Sequence, residues 1–189
     1  MRAAVMNPTD ELPPGSVFAN QFRVIERIAR GGMGTIYRVE QLPTGHPRAL
    51  KVLQPQAAQD PRARERFTQE AQIAARIESE HVAQVIGAGV DPMTSTPWLA
   101  LELLQGADLA VHLQRKGRLT PPEVAEIMRQ LGHALSAAHR LGVIHRDMKP
   151  ENIFLADARR SDASLTVKVL DFGVAKWVQE QRQNVASTA

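Results

Sequence analysis

Phe22, Val24 and Ile28 alternate loosely with Arg23 and Arg27, the two-residue period of a half-buried strand. The run Arg30-Gly31-Gly32-Met33-Gly34 interrupts that alternation. Thr35-Ile36-Tyr37-Arg38-Val39 then resumes it with β-branched and aromatic residues. A turn at Pro43-Thr44-Gly45-His46-Pro47 and a third short strand over residues 48–53 complete three antiparallel strands with a glycine-rich first hairpin. Asp60-Pro61 places a capping carboxylate before a first-turn proline, and Phe67, Ala71, Ala74 and Ile77 recur at helical spacing as far as residues 78–80. Apolar runs at 82–90 and 98–104 predict two more strands. Thr120-Pro121-Pro122-Glu123 has the form of a capping box, and the stripe Val124, Ile127, Met128, Leu131, Leu135, Ala138 and Leu141 predicts a long helix that stops at Gly142. Short apolar pieces at 153–155 and 165–170 follow, with polar, chemistry-rich loops around them.

The order of strands, helix, strands and then a helix-led part predicts an α+β chain in two pieces. A β-rich part spans 17–104, behind a flexible arm at 1–16, and a more helical part spans 105–189, with a hinge-like change of character at Gln105-Gly106-Ala107. No run of about 18 apolar residues exists, so a membrane-spanning helix is not expected. The first residues lack the apolar core of a secretory signal. The sequence contains no Cys, which excludes disulfide scaffolds, Cys-ligated zinc and thiol nucleophiles and suits the reducing cytoplasm. A net charge of +3 is too small and too scattered to predict nucleic-acid binding. The histidines other than His145 (His46, His81, His112, His133 and His139) form no zinc-binding spacing.

Three clusters carry chemistry. The glycine run lacks the Lys-Ser/Thr of a P-loop and is followed by strand-like residues, unlike a dinucleotide-binding turn, which opens a helix. What remains is a loop between two strands whose backbone N–H groups could lie over phosphates. His145-Arg146-Asp147-Met148-Lys149-Pro150-Glu151-Asn152 packs cations, carboxylates and an amide into one loop, flanked by Val143-Ile144 and Ile153-Phe154-Leu155, which would pin it to a core. Val167-Lys168-Val169-Leu170-Asp171-Phe172-Gly173 ends an apolar strand on a carboxylate, which is costly to bury unless a cation such as Mg²⁺ meets it. Lysine is scarce (Lys51, Lys116, Lys149, Lys168 and Lys176), so the placement of Lys51 and Lys149 carries weight.

With these clusters in hand, the chain resembles the bacterial eukaryotic-like (Hanks-type) Ser/Thr protein kinases. The glycine loop, Ala49-Leu50-Lys51, a helix containing Glu70, Leu101-Glu102-Leu103-Leu104, residues 145–152 and Asp171-Phe172-Gly173 occur in that family's order. The resemblance implies a two-lobed kinase-like fold, ATP and Mg²⁺ as cofactors, and transfer of the γ-phosphate to a protein Ser/Thr hydroxyl. It implies that Lys51, oriented by Glu70, holds the α- and β-phosphates. Asp147 would accept the hydroxyl proton, Lys149 would reach the γ-phosphate, and Asn152 and Asp171 would hold the metal. Ile28, Ile36, Ala49 and Phe154 would sandwich the adenine. Leu101 would be the gatekeeper, and Glu102 and Leu104 would offer backbone groups to the base, while Gly31, Gly32 and Gly34 would line the phosphates. His145 and Phe172 would pack beneath the site.

Two departures qualify these expectations. Ala29 stands where the family has its first loop glycine, which implies weaker nucleotide affinity. The chain ends at Ala189, inside what would be the activation segment, so the expected C-terminal lobe is partial, and an impaired ATP-binding regulatory module or a vestigial fragment is the alternative reading. Arg146 beside Asp147 resembles kinases activated by a phosphate in that segment, for which Ser187 and Thr188 are candidates.

Overall fold

The computed structural model describes residues 11–31, 34–157 and 165–172. The chain divides into two compact units, Met1–Thr68 with Val85–Leu103, and Gln69–Gln84 with Leu104–Ala189.

The first unit is built on a six-stranded antiparallel sheet. Its strands are β1 (Val17–Phe18), β2 (Phe22–Arg30), β3 (Gly34–Gln41), β4 (His46–Leu53), β5 (Val85–Val90) and β6 (Pro97–Glu102), in the order β1-β2-β3-β4-β6-β5. The three strands read from the sequence pattern are β2, β3 and β4. One sheet face is the core: Phe22, Tyr37, Val39 and Leu50 are at most 3% exposed, and Trp98 meets Phe22 edge-to-face at 5.1 Å. The apolar run at 82–90 yields a shorter strand than expected, because Val82 sits opposite Val169 in an isolated bridge, whose bonds are made by His81 O and Ala83 N–H, instead of joining the first sheet. Residues 11–16, read as part of an arm, are tied to that sheet. Gly15 N–H donates to Val24 O at 2.7 Å, Val24 N–H to Ser16 O at 2.9 Å, and Leu12 N–H to the Tyr37 hydroxyl at 3.2 Å.

Two helices follow β4, a short α1 (Pro55–Ala58) and α2 (Pro61–Ala74). The Asp60 carboxylate accepts from Arg62 N–H at 2.9 Å, the first-turn bond that the Asp-Pro pair predicts. The helix stops short of 78–80, and Ile77 is buried beyond its end.

The second unit contains a three-stranded sheet, β7 (Gly106–Asp108), β8 (Ile153–Ala156) and β9 (Thr166–Val169), in that order. It also contains α3 (Leu109–Lys116) and α4 (Pro121–Arg140). α4 packs on β9 with Ile127, Leu131, Ala134 and Ala138 against Val167 and Val169. The expected stripe holds in part: Val124, Met128 and Leu141 are 43%, 58% and 41% exposed, while Gln130, Ala134 and Ala137 are buried. The stripe caught Ile127, Leu131 and Ala138, which are buried, and passed over Ala134 and Ala137 on the same helix, because small residues leave a weak signal in a hydrophobic pattern. The expected stop at Gly142 is present. Its φ is +73°, and Gly142 N–H and Val143 N–H return to His139 O (2.9 Å) and Ala138 O (3.0 Å). Glu123 accepts from Thr120 N–H and its hydroxyl, each at 2.8 Å, and from Lys116 at the end of α3. The Lys116 hydrogen bond, followed by those from Thr120, pulls the Glu123 pKa down to about 2.

Candidate functional site

The face of the first unit's sheet opposite the core gathers four expected nucleotide contacts. The register pairs Ile36 with Lys51 and Lys51 with Leu99; it pairs Arg38 with Ala49 and Ala49 with Leu101. Directly opposed residues share a face, so Ile36, Ala49, Lys51 and Leu101 lie together. Lys51 is only 7% exposed, and a buried ammonium is held only where anionic or polar groups meet it. Ile28 falls where the β2–β3 register slips between Arg27 and Ala29, and it is 51% exposed. Such a bulge frees a side chain from the strict alternation of the strand. Glu102 is buried at the end of β6. Gly31 N–H donates to Gly34 O at 2.9 Å, closing the base of the loop. Gly32 and Met33 lie outside the described residues, as do Gly173, Lys176, Ser187 and Thr188.

A side chain at Gly34 would place Cβ 2.7 Å from Val52 O and 3.7 Å from Lys51 Cγ. Backbone cannot yield as a flexible side-chain tip can. Gly34→Ala is therefore expected to lower stability by about 1–3 kcal/mol, read as a shifted urea midpoint with unchanged slope. Wild-type stability in the variant would contradict this close approach.

The second unit assembles the polar cluster. Lys149 Nζ lies 2.9 Å from Asp147 Oδ2. Asn152 Nδ2 donates both to Asp147 O (2.7 Å) and to Asp147 Oδ2 (3.1 Å), holding the carboxylate and its own backbone in one grip. With both amide hydrogens so used, Asn152 Oδ1 is the atom left for a cation. Leu170 N–H donates to Asn152 O at 2.9 Å, which fixes the end of β9 to the loop one residue before Asp171. His145, 2% exposed, sets the other side: its ring packs at a 55° tilt against Phe172, with centroids 4.8 Å apart. Asp147 N–H can only donate to His145 Nδ1 (3.3 Å), and Leu170 O can only accept from Nε2 (2.8 Å). The bonds therefore place the Nε2 hydrogen toward Leu170 O and leave Nδ1 facing the Asp147 N–H. Arg146 (φ 62°) and Asp171 (φ 42°) are the two non-glycine residues of this unit with left-handed backbone, among the described residues. Strain of that kind concentrates where a side chain must be aimed.

The Lys149 hydrogen bond holds the Asp147 carboxyl below its ordinary range; burial opposes it, and the Asn152 hydrogen bond adds to the lowering. Lys149 is raised in turn, first by its hydrogen bond to Asp147. Glu70 is half-buried on α2, and Leu104 and Phe154 are half-buried in the second unit, Phe154 on β8 opposite Asp108 and Lys168. Among the described residues no three His, Cys, Asp or Glu side chains converge to hold a metal by themselves. The oxygens of Asp171 and Asn152 instead suit Mg²⁺, which takes one or two protein oxygens and completes its shell with phosphate and water. No helix among the described residues is long and apolar enough to cross a membrane.

The fold and the loop chemistry define a kinase-type chain. Residues 22–189 match the family model described as "Protein kinase domain", and the chain belongs to that family. It is 34% identical over 177 residues to the serine/threonine-protein kinase PknE of Mycobacterium tuberculosis, covering 94% of this chain and 30% of that protein. It is 37% identical over 164 residues to the serine/threonine-protein kinase Pkn1 of Myxococcus xanthus, covering 87% of this chain and 23% of that one. The crystal structure of the M. tuberculosis PknI kinase domain superposes with a TM-score of 0.72 at 30% identity, over 88% of this chain and 63% of that chain. The chain thus spans less than a third of these curated relatives' length. The expected kinase-like fold and the resemblance to bacterial Ser/Thr kinases both hold.

Proposed function

We propose that this chain carries the nucleotide- and metal-handling part of an ATP-dependent protein Ser/Thr kinase. The observation that carries the reading is the joint grip of Lys149 and Asn152 on Asp147, with Asn152 also bonded to the residue before Asp171. Phosphoryl transfer asks a protein for position and charge neutralisation more than for covalent chemistry. One cluster here supplies a fixed carboxylate, a cation beside it and two further oxygen donors.

In the proposed reaction the substrate hydroxyl oxygen bonds to the γ-phosphorus as the bond to the β-phosphate oxygen breaks, and ADP leaves. Asp147 orients the hydroxyl and takes its proton late. Lys149, already beside that carboxylate, would meet a γ-phosphate oxygen. Bound Mg²⁺, held by Asn152 and Asp171, would neutralise phosphate charge. The resemblance supports the remaining roles. Lys51 holds the α- and β-phosphates, and Glu70 orients its amine. Ile28, Ile36, Ala49, Leu101 and Phe154 enclose the adenine, whose edge meets backbone groups of Glu102 and Leu104. Gly31, Gly32 and Gly34 lie over the phosphates. Transfer of radiolabelled γ-phosphate to protein serine or threonine tests the reading. Labelling should depend on added Mg²⁺ and vanish in Lys51→Met; equal labelling in that variant would contradict the assignment.

The ionisation of the loop gives a pH prediction. Asp147 titrates below its ordinary 3.8, so its charge, and any stability it adds, is present above that value and is lost as pH falls through the lower folded-state pKa. Lys149 titrates above 10.5, so its contribution is present below that value and is lost as pH rises through the raised one. Asp147 and Lys149 therefore impose no titration on the pH–rate profile between about pH 5 and 9. An Asp147 carboxyl carbon resonance that titrates within that window would contradict the loop geometry.

A further inference from the structure

The sequence reading assigned no role to His81 or Gln130, and no motif flags either. His81 lies just before β5 and is 6% exposed; Gln130, on the β9-facing side of α4, is 4% exposed. Both are spent on one peptide strand. Val167, fully buried, turns its N–H and C=O away from β8. Its N–H donates to Gln130 Oε1 at 2.7 Å, and its carbonyl accepts from His81 Nδ1 at 3.1 Å. The carbonyl can only accept, so the His81 proton is on Nδ1.

Two residues on, the same strand edge is held by backbone alone. Val169 N–H donates to His81 O at 2.8 Å, and Ala83 N–H donates to Val169 O at 3.1 Å. The clamp is aimed from behind. Gln130 Nε2 donates to Glu126 Oε1 at 2.6 Å and reaches Leu165 O at 3.4 Å, which turns Oε1 toward the strand. Glu126 is in turn held by Arg129 at 2.7 and 2.9 Å, and the His133 ring meets that of His81 edge-on at 6.0 Å. Four residues after Val167 the strand delivers Asp171, through Leu170, whose N–H and C=O go to Asn152 and His145.

We propose that Gln130 and His81 are positioning residues that fix β9 by its Val167 peptide groups and thereby place the Asp171 carboxylate for the metal-bound nucleotide. Neither touches nucleotide or metal, and a buried strand with its edge groups unpaired cannot hold one register. The proposal rests on the kinase reading of Asp171, but its structural half can be measured without nucleotide.

The test uses the whole chain and three measurements: amide hydrogen exchange, affinity for Mn²⁺ with a non-hydrolysable ATP analogue, and circular dichroism to confirm folding. Gln130→Met keeps length and volume but removes the acceptor; His81→Phe removes the donor; His81→Asn restores a donor near the Nδ1 position. In the first two variants, exchange over residues 166–171 should accelerate while α4 stays protected. Mn²⁺ affinity should fall by roughly 10-fold, as when groups behind a metal ligand are removed. His81→Asn should recover most of both losses, which a general loss of packing would not do. Asp91→Asn, which disturbs a buried turn in the other unit, should lower thermal stability without changing exchange over 166–171.

If Gln130→Met does not fold, Gln130→Asn, which draws the amide back by one methylene, takes its place with the same expectations in smaller measure. Wild-type exchange and wild-type Mn²⁺ affinity in folded variants would overturn the proposal. A wild-type chain that binds no Mn²⁺–nucleotide would overturn the kinase reading instead, and the exchange result would still decide the clamp.

Discussion

Asp147→Asn is expected to lower phosphate transfer by roughly 10²–10⁴-fold, the usual contribution of a positioned acid–base group. The substitution keeps the shape of the side chain and an oxygen for Asn152 Nδ2 to reach. It removes the charge that fixes Lys149 and the site that receives the proton. Because Asp147 is not assigned to adenine, ribose or metal, affinity for MgATP should stay within a few-fold of wild type. Single-turnover rates with radiolabelled ATP, set beside calorimetric affinities, separate the two quantities. A variant that transfers phosphate at the wild-type rate, or that loses rate only in proportion to lost affinity, would contradict the role given to this carboxylate.

Gly106→Ala is expected to be the most damaging single change to the second unit. Gly106 opens β7 at φ +129°, backbone that L-residues rarely adopt, and an added Cβ would run into the Leu155 carbonyl and lie 3.2 Å from Ala156 Cα. Strain of that kind costs about 1–3 kcal/mol, and forcing atoms against backbone costs about as much again. Together these are a large share of the roughly 5–15 kcal/mol that holds a typical domain together. Because β7 pairs with β8, which continues directly from the 150–152 turn, the loss should reach the loop carrying Asn152. A fall in the urea midpoint, with early exchange of the 153–156 amides, is the expected result. A variant as stable as wild type would show that this strand register is not what the sheet depends on.

The sequence revealed most where local chemistry and local structure coincide. The β2–β4 strands carry two-residue alternation, the Asp60-Pro61 and Thr120–Glu123 pairs mark helix starts, and Gly142 ends α4 with a left-handed backbone, so each was legible from its own few residues. The polar loop was legible for a similar reason: Asp147, Lys149 and Asn152 are neighbours in sequence as well as in space. Long-range partnerships left less trace. β7 is three residues long, and α3 begins on a local cap, Val111 N–H to Asp108 at 2.8 Å, which the hinge-like composition of 105–107 obscured. The buried face of α4 was legible in part, at Ile127, Leu131 and Ala138, while Gln130, Ala134 and Ala137 were passed over because small and polar residues do not announce burial. Gln130 and His81 were invisible because their partner is a backbone group tens of residues away. A buried polar side chain shows its purpose only when the strand it serves is known.

Binding of ATP to the purified chain with and without Mg²⁺, in wild type and in Asp171→Asn, bears most directly on the metal–nucleotide centre. The expected result is tighter binding to wild type when Mg²⁺ is present, with that increment lost in the variant while metal-free binding is retained. Equal Mg²⁺ dependence in both proteins, or no nucleotide binding by wild type at all, would contradict it.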